Sequence, residues 1–126
     1  MDYIKENKPD FAFVYMVETD EKGGHDHGWM TKEYFERVSI AIDNVKKLIE
    51  NFGDEYAIMI VADHGGHDRA HGSDMPEDMT IPVIIRDKGG LIGEIPYEVS
   101  ILDVAPTIAK LMDVPIPKSW EGKPLV

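Results

Sequence analysis

The chain contains no cysteine, which excludes disulfides and thiolate zinc sites. Any bound metal must therefore be held by His, Asp or Glu, a donor set that suits zinc, manganese or iron. No apolar run approaches the ~20 residues of a membrane span. The first residues, Met1 to Lys8, are charged and lack the apolar core and small-residue cleavage site of a secretory signal. A cytoplasmic location with no membrane contact is the expectation. Basic residues are scarce, with 13 Lys and Arg against 24 Asp and Glu and a formal charge of −11. They are also unclustered, which argues against nucleic acid as a partner. The acidic surplus reads as solvated surface, and it says little about substrate, because divalent cations would make a cleft attractive to an anion whatever the remaining surface carries. Neither a phosphate-cradling P-loop nor a dinucleotide fingerprint is present, and there is no internal repeat or flexible linker. A length of 126 residues suffices for one unit with its own core, so residues 1–126 are expected to form a single domain.

What the chain does have is histidine in two places. The apolar run Tyr56 to Ala62 breaks off into Asp63, His64, Gly65, Gly66, His67, Asp68, Arg69, Ala70, His71 and Gly72. A β-branched run ending in glycines reads as a buried strand emptying into a loop. A second run, Phe11 to Glu18, is a nearly continuous apolar and aromatic stretch, as expected of a strand buried on both faces of a parallel sheet. It delivers Thr19 and Asp20 to a loop holding Gly23, Gly24, His25, Asp26, His27, Gly28 and Trp29. All five histidines lie in these two loops. In open α/β sheets, sites form outside the carboxyl ends of the strands, so both loops are expected to face one crevice.

Between them, Tyr34, Val38, Ala41, Val45 and Leu48 recur at helical spacing after a plausible N-cap at Thr31. Residues 11–63 thus read as a βαβ unit with the Tyr56 to Ala62 strand in the centre of the sheet. A short helix over Asp2 to Asn7 should precede it, stopped at Lys8 and Pro9. Downstream, Ser73 to Asp78 reads as a polar loop whose Asp74, Glu77 and Asp78 are solvated. Met79 to Arg86 reads as a strand whose Pro82 suits an edge or a strand start, followed by a turn at Lys88 to Gly90. A final helix to Met112 is capped by Ser100 or Asp103, with Pro106 tolerable only in its first turn. The tail from Pro115 to Val126 should hug the surface. This order of elements is that of a layered α/β domain.

Metals held without thiolate commonly take three protein ligands and leave one position open. Asp20, His25 and His71 could supply one such set, and the neighbours Asp63 and His64 part of a second. Two ions ~3.5–4 Å apart would clamp the attacking and leaving oxygens of a displacement at phosphorus. A single surface histidine is usually nothing more, but five confined to two Gly-rich loops with carboxylates are harder to dismiss. His27 and His67 are balanced between substrate-facing roles and solvent. Arg69 is balanced between an anionic substrate and a salt bridge. Trp29 reads as loop packing.

Taken together, Glu18 to Trp29, Ala62-Asp63-His64-Gly65 with His71-Gly72 after it, Met79-Thr80-Ile81-Pro82, and Asp103 to Thr107 resemble the C-terminal half of the alkaline phosphatase superfamily. Its type I phosphodiesterase and nucleotide pyrophosphatase members are the nearest in pattern. The resemblance implies an αβα sandwich, here an incomplete C-terminal portion, and a centre of two divalent metals, usually zinc and sometimes manganese. It places Asp20, His25 and His71 on one ion and Asp63 and His64 on the other. Two departures stand out. One residue more than the family pattern separates Asp20 from His25. The nucleophile and a further Asp ligand belong, in this superfamily, to an N-terminal half that precedes these motifs. The expectation is accordingly a chain that supplies metal ligands but no nucleophile, with the first site complete at three ligands and the second holding only two. The implied function is hydrolysis of phosphoric esters. The alternatives are a sulfatase or phosphomutase of the same superfamily acting on sulfate or phosphate esters, or a non-catalytic metal-binding module. Missing strands would leave an exposed edge or face for a homo-oligomer or the other half to cover.

Overall fold

A computed structural model describes every residue of the chain except Gly89 and Pro96. Helix α1 spans Asp2–Asn7 and ends where Lys8 adopts a left-handed conformation (φ 42°), ahead of Pro9. The chain then runs without regular structure to a π-helical turn at Thr19–His25, and the long helix α2 covers Lys32–Phe52. Strand β1 (Ile58–Val61), the short helix α3 (Pro76–Met79), strands β2 (Val83–Asp87) and β3 (Gly90–Leu91), a 3-10 turn (Ile101–Asp103) and helix α4 (Val104–Leu111) complete the order. The architecture is α/β, as expected of a portion of an alkaline phosphatase-like fold.

The sheet differs from the expected one in direction and order. β1 pairs antiparallel with β2, with Ile58 opposite Arg86 and Val61 opposite Val83, and β2 pairs antiparallel with β3. β2 is therefore the central strand and β1 an edge. Residues 11–18 form no strand, so the βαβ unit is not closed. Composition favours extended backbone there, but a strand exists only through a neighbour's ladder, and none is provided among the described residues. The run is accordingly exposed, with Phe13 and Tyr15 stacked on each other at 6.3 Å rather than buried. Pro82 sits just before β2, where a missing N–H costs no ladder bond. Gly89, in the turn expected between β2 and β3, lies outside the described residues.

The helices follow the sequence more closely. Thr31 caps α2, its Oγ1 accepting from Tyr34 N at 3.2 Å, and the five residues at helical spacing are all half-buried while Phe35, Ile40 and Ile42 face outward. Both expected caps act before α4: Ser100 and Asp103 exchange side-chain and backbone bonds as a capping box. Pro106 lies in the first turn of α4, as its missing N–H requires. The small core holds Phe52, Ile85, Ala109 and Leu125. The tail is strapped across α4. Lys123 N donates to Asp103 Oδ1 at 2.8 Å and Leu125 N to the buried Thr107 Oγ1 at 3.0 Å. The backbone bonds from Ser100 N and then Lys123 N hold the Asp103 carboxyl below its usual range. Among the described residues no helix is long and apolar enough to cross a membrane.

Candidate metal centre

The two histidine loops meet, and the π-helical turn is what brings Asp20 to the meeting point. In an α-helix, residues five apart are separated by about 500°, or roughly 140° around the axis. In a π-turn the bonds run from residue i to i+5, and here the N–H of Asp26 reaches the carbonyl of Glu21. Across this wide turn His25 Nε2 stands 3.6 Å from Asp20 Oδ1. Gly23 and Gly24 are buried within it. A side chain at Gly23 would press on Tyr34, and one at Gly24 would meet the Trp29 indole at 2.4 Å.

The second loop folds back on itself through paired bonds between His67 and Ala70, at 3.0 and 2.9 Å, with Asp68 in a left-handed conformation (φ 46°). It is joined to the first loop by Trp29 N donating to Asp68 O at 2.7 Å and by His25 Nδ1 donating to Arg69 O at 3.1 Å. Trp29 is the spacer between them: the Gly66 backbone leaves no room for a Cβ, which would lie 2.2 Å from its ring. Its indole stands edge-on to His25 at 5.3 Å and to His71 at 5.9 Å. The expectation that Trp29 is packing agrees with this arrangement.

Asp20, His25 and His71 each offer a ligand atom, and those atoms all lie within 4.8 Å of one another. His64 stacks on His71, ring centroids 3.8 Å apart and 18° from parallel. Tautomers follow from the partners, since a carbonyl can only accept. His25 carries its proton on Nδ1 toward Arg69 O, and His64 carries its own toward Gly65 O at 2.7 Å. Both leave Nε2 with a free lone pair, the arrangement seen when a carbonyl orients a metal-binding imidazole. Asp20 Oδ1 is buried and has no hydrogen-bond partner among the described residues. An orphaned buried carboxylate oxygen is costly, and a divalent cation among these three donors would satisfy it; the residues fit such an ion. The carboxylate also reaches Tyr34, whose hydroxyl pKa is raised by burial first and by the Asp20 charge second.

The remaining sequence candidates are placed less tightly. Asp63 is two-thirds exposed, with Oδ1 3.9 Å from His64 Nε2, so the pair has one imidazole oriented by a hydrogen bond and one exposed carboxylate. His27 and Arg69 are exposed; the Arg69 contact with the site is through its carbonyl. His67 turns to Asp78, Nδ1 donating to Oδ1 at 2.7 Å. Asp78 is the residue that sequence reasoning missed. Expected as a solvated charge, it is 2 % exposed and also accepts from Ser73 N and Oγ at 2.8 and 2.7 Å. The sequence signal was Pro76, a helix-starting residue that makes Pro76–Met79 a turn of helix and folds Asp78 back under the loop. The hydrogen bond from His67 is the main cause that lowers the Asp78 pKa to about 2, and the same bond raises that of His67.

An α/β chain that gathers one carboxylate and two imidazoles from two Gly-rich loops has the donor set of a divalent-metal site. A family model, the metalloenzyme superfamily, matches residues 1–116, and the chain belongs to that superfamily. Among curated relatives, it is 29 % identical over 113 residues to a phosphopentomutase of Clostridium kluyveri, covering 89 % of this chain and 28 % of the relative. It is 32 % identical over 133 residues to a 2,3-bisphosphoglycerate-independent phosphoglycerate mutase of Bacteroides thetaiotaomicron, covering 100 % of this chain and 25 % of the relative. The chain thus spans about a quarter of the length of these relatives. No solved structure matches at the same significance. Membership implies a divalent metal without naming it. The relatives are mutases, so the narrower likeness to type I phosphodiesterases and nucleotide pyrophosphatases finds no support in them.

Proposed function

We propose that this chain carries the metal-binding part of a phosphoryl-transfer centre acting on phosphate monoesters, of the phosphomutase kind, and not a phosphodiesterase or nucleotide pyrophosphatase. The observation that carries the reading is the convergence of Asp20, His25 and His71, with Asp20 Oδ1 buried and unpaired. Support for a mutase comes from the two kinds of relative, which name a pentose phosphate enzyme and a phosphoglycerate enzyme. Asp20, His25 and His71 would hold one ion, zinc or manganese, with Asp63 and His64 contributing to a second. A divalent ion so held supplies Lewis acidity toward a phosphoryl oxygen. The chain's own residues do the rest: Arg69 O and Gly65 O fix the imidazole protons on Nδ1, and Trp29 keeps the two loops apart at the distance the donors need.

Two nearby hydroxyls are engaged elsewhere. Thr31 Oγ1 donates to Gly28 O and Ser73 Oγ to Asp78, so neither is offered as a nucleophile. The chain on its own should therefore bind metal and phosphate monoester without turnover. Because Asp63 is largely exposed and only one three-donor group occurs among the described residues, about one ion per chain is expected. The test is elemental analysis of wild type and Asp20→Ala, followed by 31P NMR of ribose 5-phosphate and 3-phosphoglycerate with the manganese-loaded chain. Metal near one per chain, lost in Asp20→Ala, with manganese-dependent broadening of the monoester resonances, supports the reading. Hydrolysis of bis-p-nitrophenyl phosphate would return it to a phosphodiesterase, and metal retained in Asp20→Ala would displace the site.

A further inference from the structure

We infer that Asp78, which is no ligand itself, is the positioning residue that holds the loop carrying His71 against the other two donors and so governs metal affinity. The inference rests on the proposed metal site and adds to it a residue outside the ligand set.

Asp78 holds the ligand loop at its beginning, middle and end. At the beginning, its main-chain carbonyl accepts from Gly65 N at 2.7 Å, next to His64, while the neighbouring Glu77 carbonyl accepts from Gly66 N at 2.9 Å. In the middle, Oδ1 accepts from His67 Nδ1 at 2.7 Å. At the end, Oδ2 accepts from both Ser73 N and Ser73 Oγ, two residues beyond His71. The approach is close enough that a Cβ on Gly65 would lie 2.0 Å from Glu77 O, so the loop cannot slide along α3. With both ends and the centre fixed to one buried side chain and its backbone, the length of loop from His64 to His71 has little freedom left. The two rings are held in stack at 3.8 Å.

The carboxylate suits this task where an amide would not. Three donors converge on its two oxygens, and ionised Asp offers only acceptors. Asn would turn an NH2 toward a donor. Partners that orient ligands from outside the ligand set typically change metal affinity by 10–100-fold when removed.

The experiment measures zinc affinity by chelator competition on the full chain, with circular dichroism and amide exchange of the metal-free form alongside. Variants are Asp78→Asn, His67→Gln, which removes only the central bond, and Glu77→Gln, whose side chain is exposed and should change nothing. Asp78→Asn is expected to bind zinc roughly 10–100-fold more weakly, with a wild-type dichroism spectrum and faster exchange at Ser73, whose N–H the carboxylate accepts. His67→Gln should shift affinity in the same direction. A folded Asp78→Asn with affinity within about threefold of wild type overturns the inference. Should Asp78→Asn fail to fold, His67→Gln decides by the same criterion. If wild type binds no metal, the metal site itself is wrong, and exchange alone decides: protection of the Ser73 amide kept in Asp78→Asn would also overturn the positioning role.

Discussion

Gly66→Ala tests how the two loops are spaced. The added methyl would lie 2.2, 2.5 and 2.6 Å from Trp29 Cε2, Cδ2 and Nε1, against a carbon contact distance of ~3.5 Å. The indole would have to retreat by roughly 1.3 Å, or the loop would have to lift by as much. Neither is free. The six-membered ring already touches the Gly24 backbone, with a Cβ there falling 2.4 Å from Cζ2. The indole also stands edge-on to His25 and His71. A displacement of this size is several times the ~0.2 Å tolerance of a metal-ligand distance. Overpacking of this kind costs about 1–3 kcal/mol, and the structure places that cost on the ligands.

Gly66→Ala should therefore weaken zinc binding at least about tenfold and lower the thermal midpoint. Gly93→Ala, where nothing lies within 4 Å of the added carbon, should do neither. Calorimetric titration of the metal-free chain reads the first effect and a dichroism melt the second. The double variant Gly66→Ala with Trp29→Leu removes the ring atoms that the methyl meets, so it should bind zinc better than Gly66→Ala alone if the clash is the cause. Wild-type affinity in the single variant, or no recovery in the double, would refute the spacer role of Trp29.

Thr107→Val should destabilise the chain by about 1–3 kcal/mol in a urea melt, because it leaves the Leu125 N–H buried without an acceptor while keeping the side chain's shape; an unchanged midpoint would mean that the tail is not strapped to α4 in solution. The His67 and Asp78 pair should give a stability plateau in acid to neutral solution. The Asp78 pKa is lowered from 3.8 to about 2, so its contribution is present above 3.8 and lost as pH falls through about 2. His67 is raised above 6.5, by the Asp78 hydrogen bond and then by the charges of Asp78, Asp68 and Glu77 against the opposing effect of burial. Its contribution is complete below 6.5 and lost as pH rises through the raised value. Thermal midpoints of wild type minus His67→Gln, taken across pH, should follow that shape; a flat difference would show the pair to be uncharged or broken.

Much of the site was legible because its signal is local. Glycine beside His and Asp, directly after an apolar run, marks a loop whatever packs around it, and Asp20, His25 and His71 do come together. The helices were legible for the same reason: Thr31, Ser100 and the period of α2 act within one or two turns. Strand pairing is not local. Nothing in Ile58 to Val61 tells whether its neighbour runs parallel or antiparallel, and the expected parallel sheet gave way to the antiparallel ladder with β2. Phe11 to Glu18 has strand composition but no ladder, and its aromatic rings stay exposed. Asp78 was misread because a carboxylate's burial is decided by who reaches it, here His67 and Ser73 from across a turn that only Pro76 hinted at.

The five-residue spacing from Asp20 to His25 shows how far a facing pair of donors depends on the turn between them. In a regular α-helix that spacing turns the second donor by roughly 140° from the first, which would point His25 away from Asp20. The π-turn widens the ring of backbone between them and lets the pair face. The turn is packed from outside, by Tyr34 against Gly23 and Trp29 against Gly24. Both aromatics come from the start of α2 or just before it, and Thr31 between them anchors that helix by donating to Gly28 O at 2.7 Å while capping Tyr34 N. The wide turn, the two glycines and the two aromatic rings thus form one unit. What must be kept for binding is the facing of the two donors, and here the buried glycines and the rings that pack on them hold the turn that provides it.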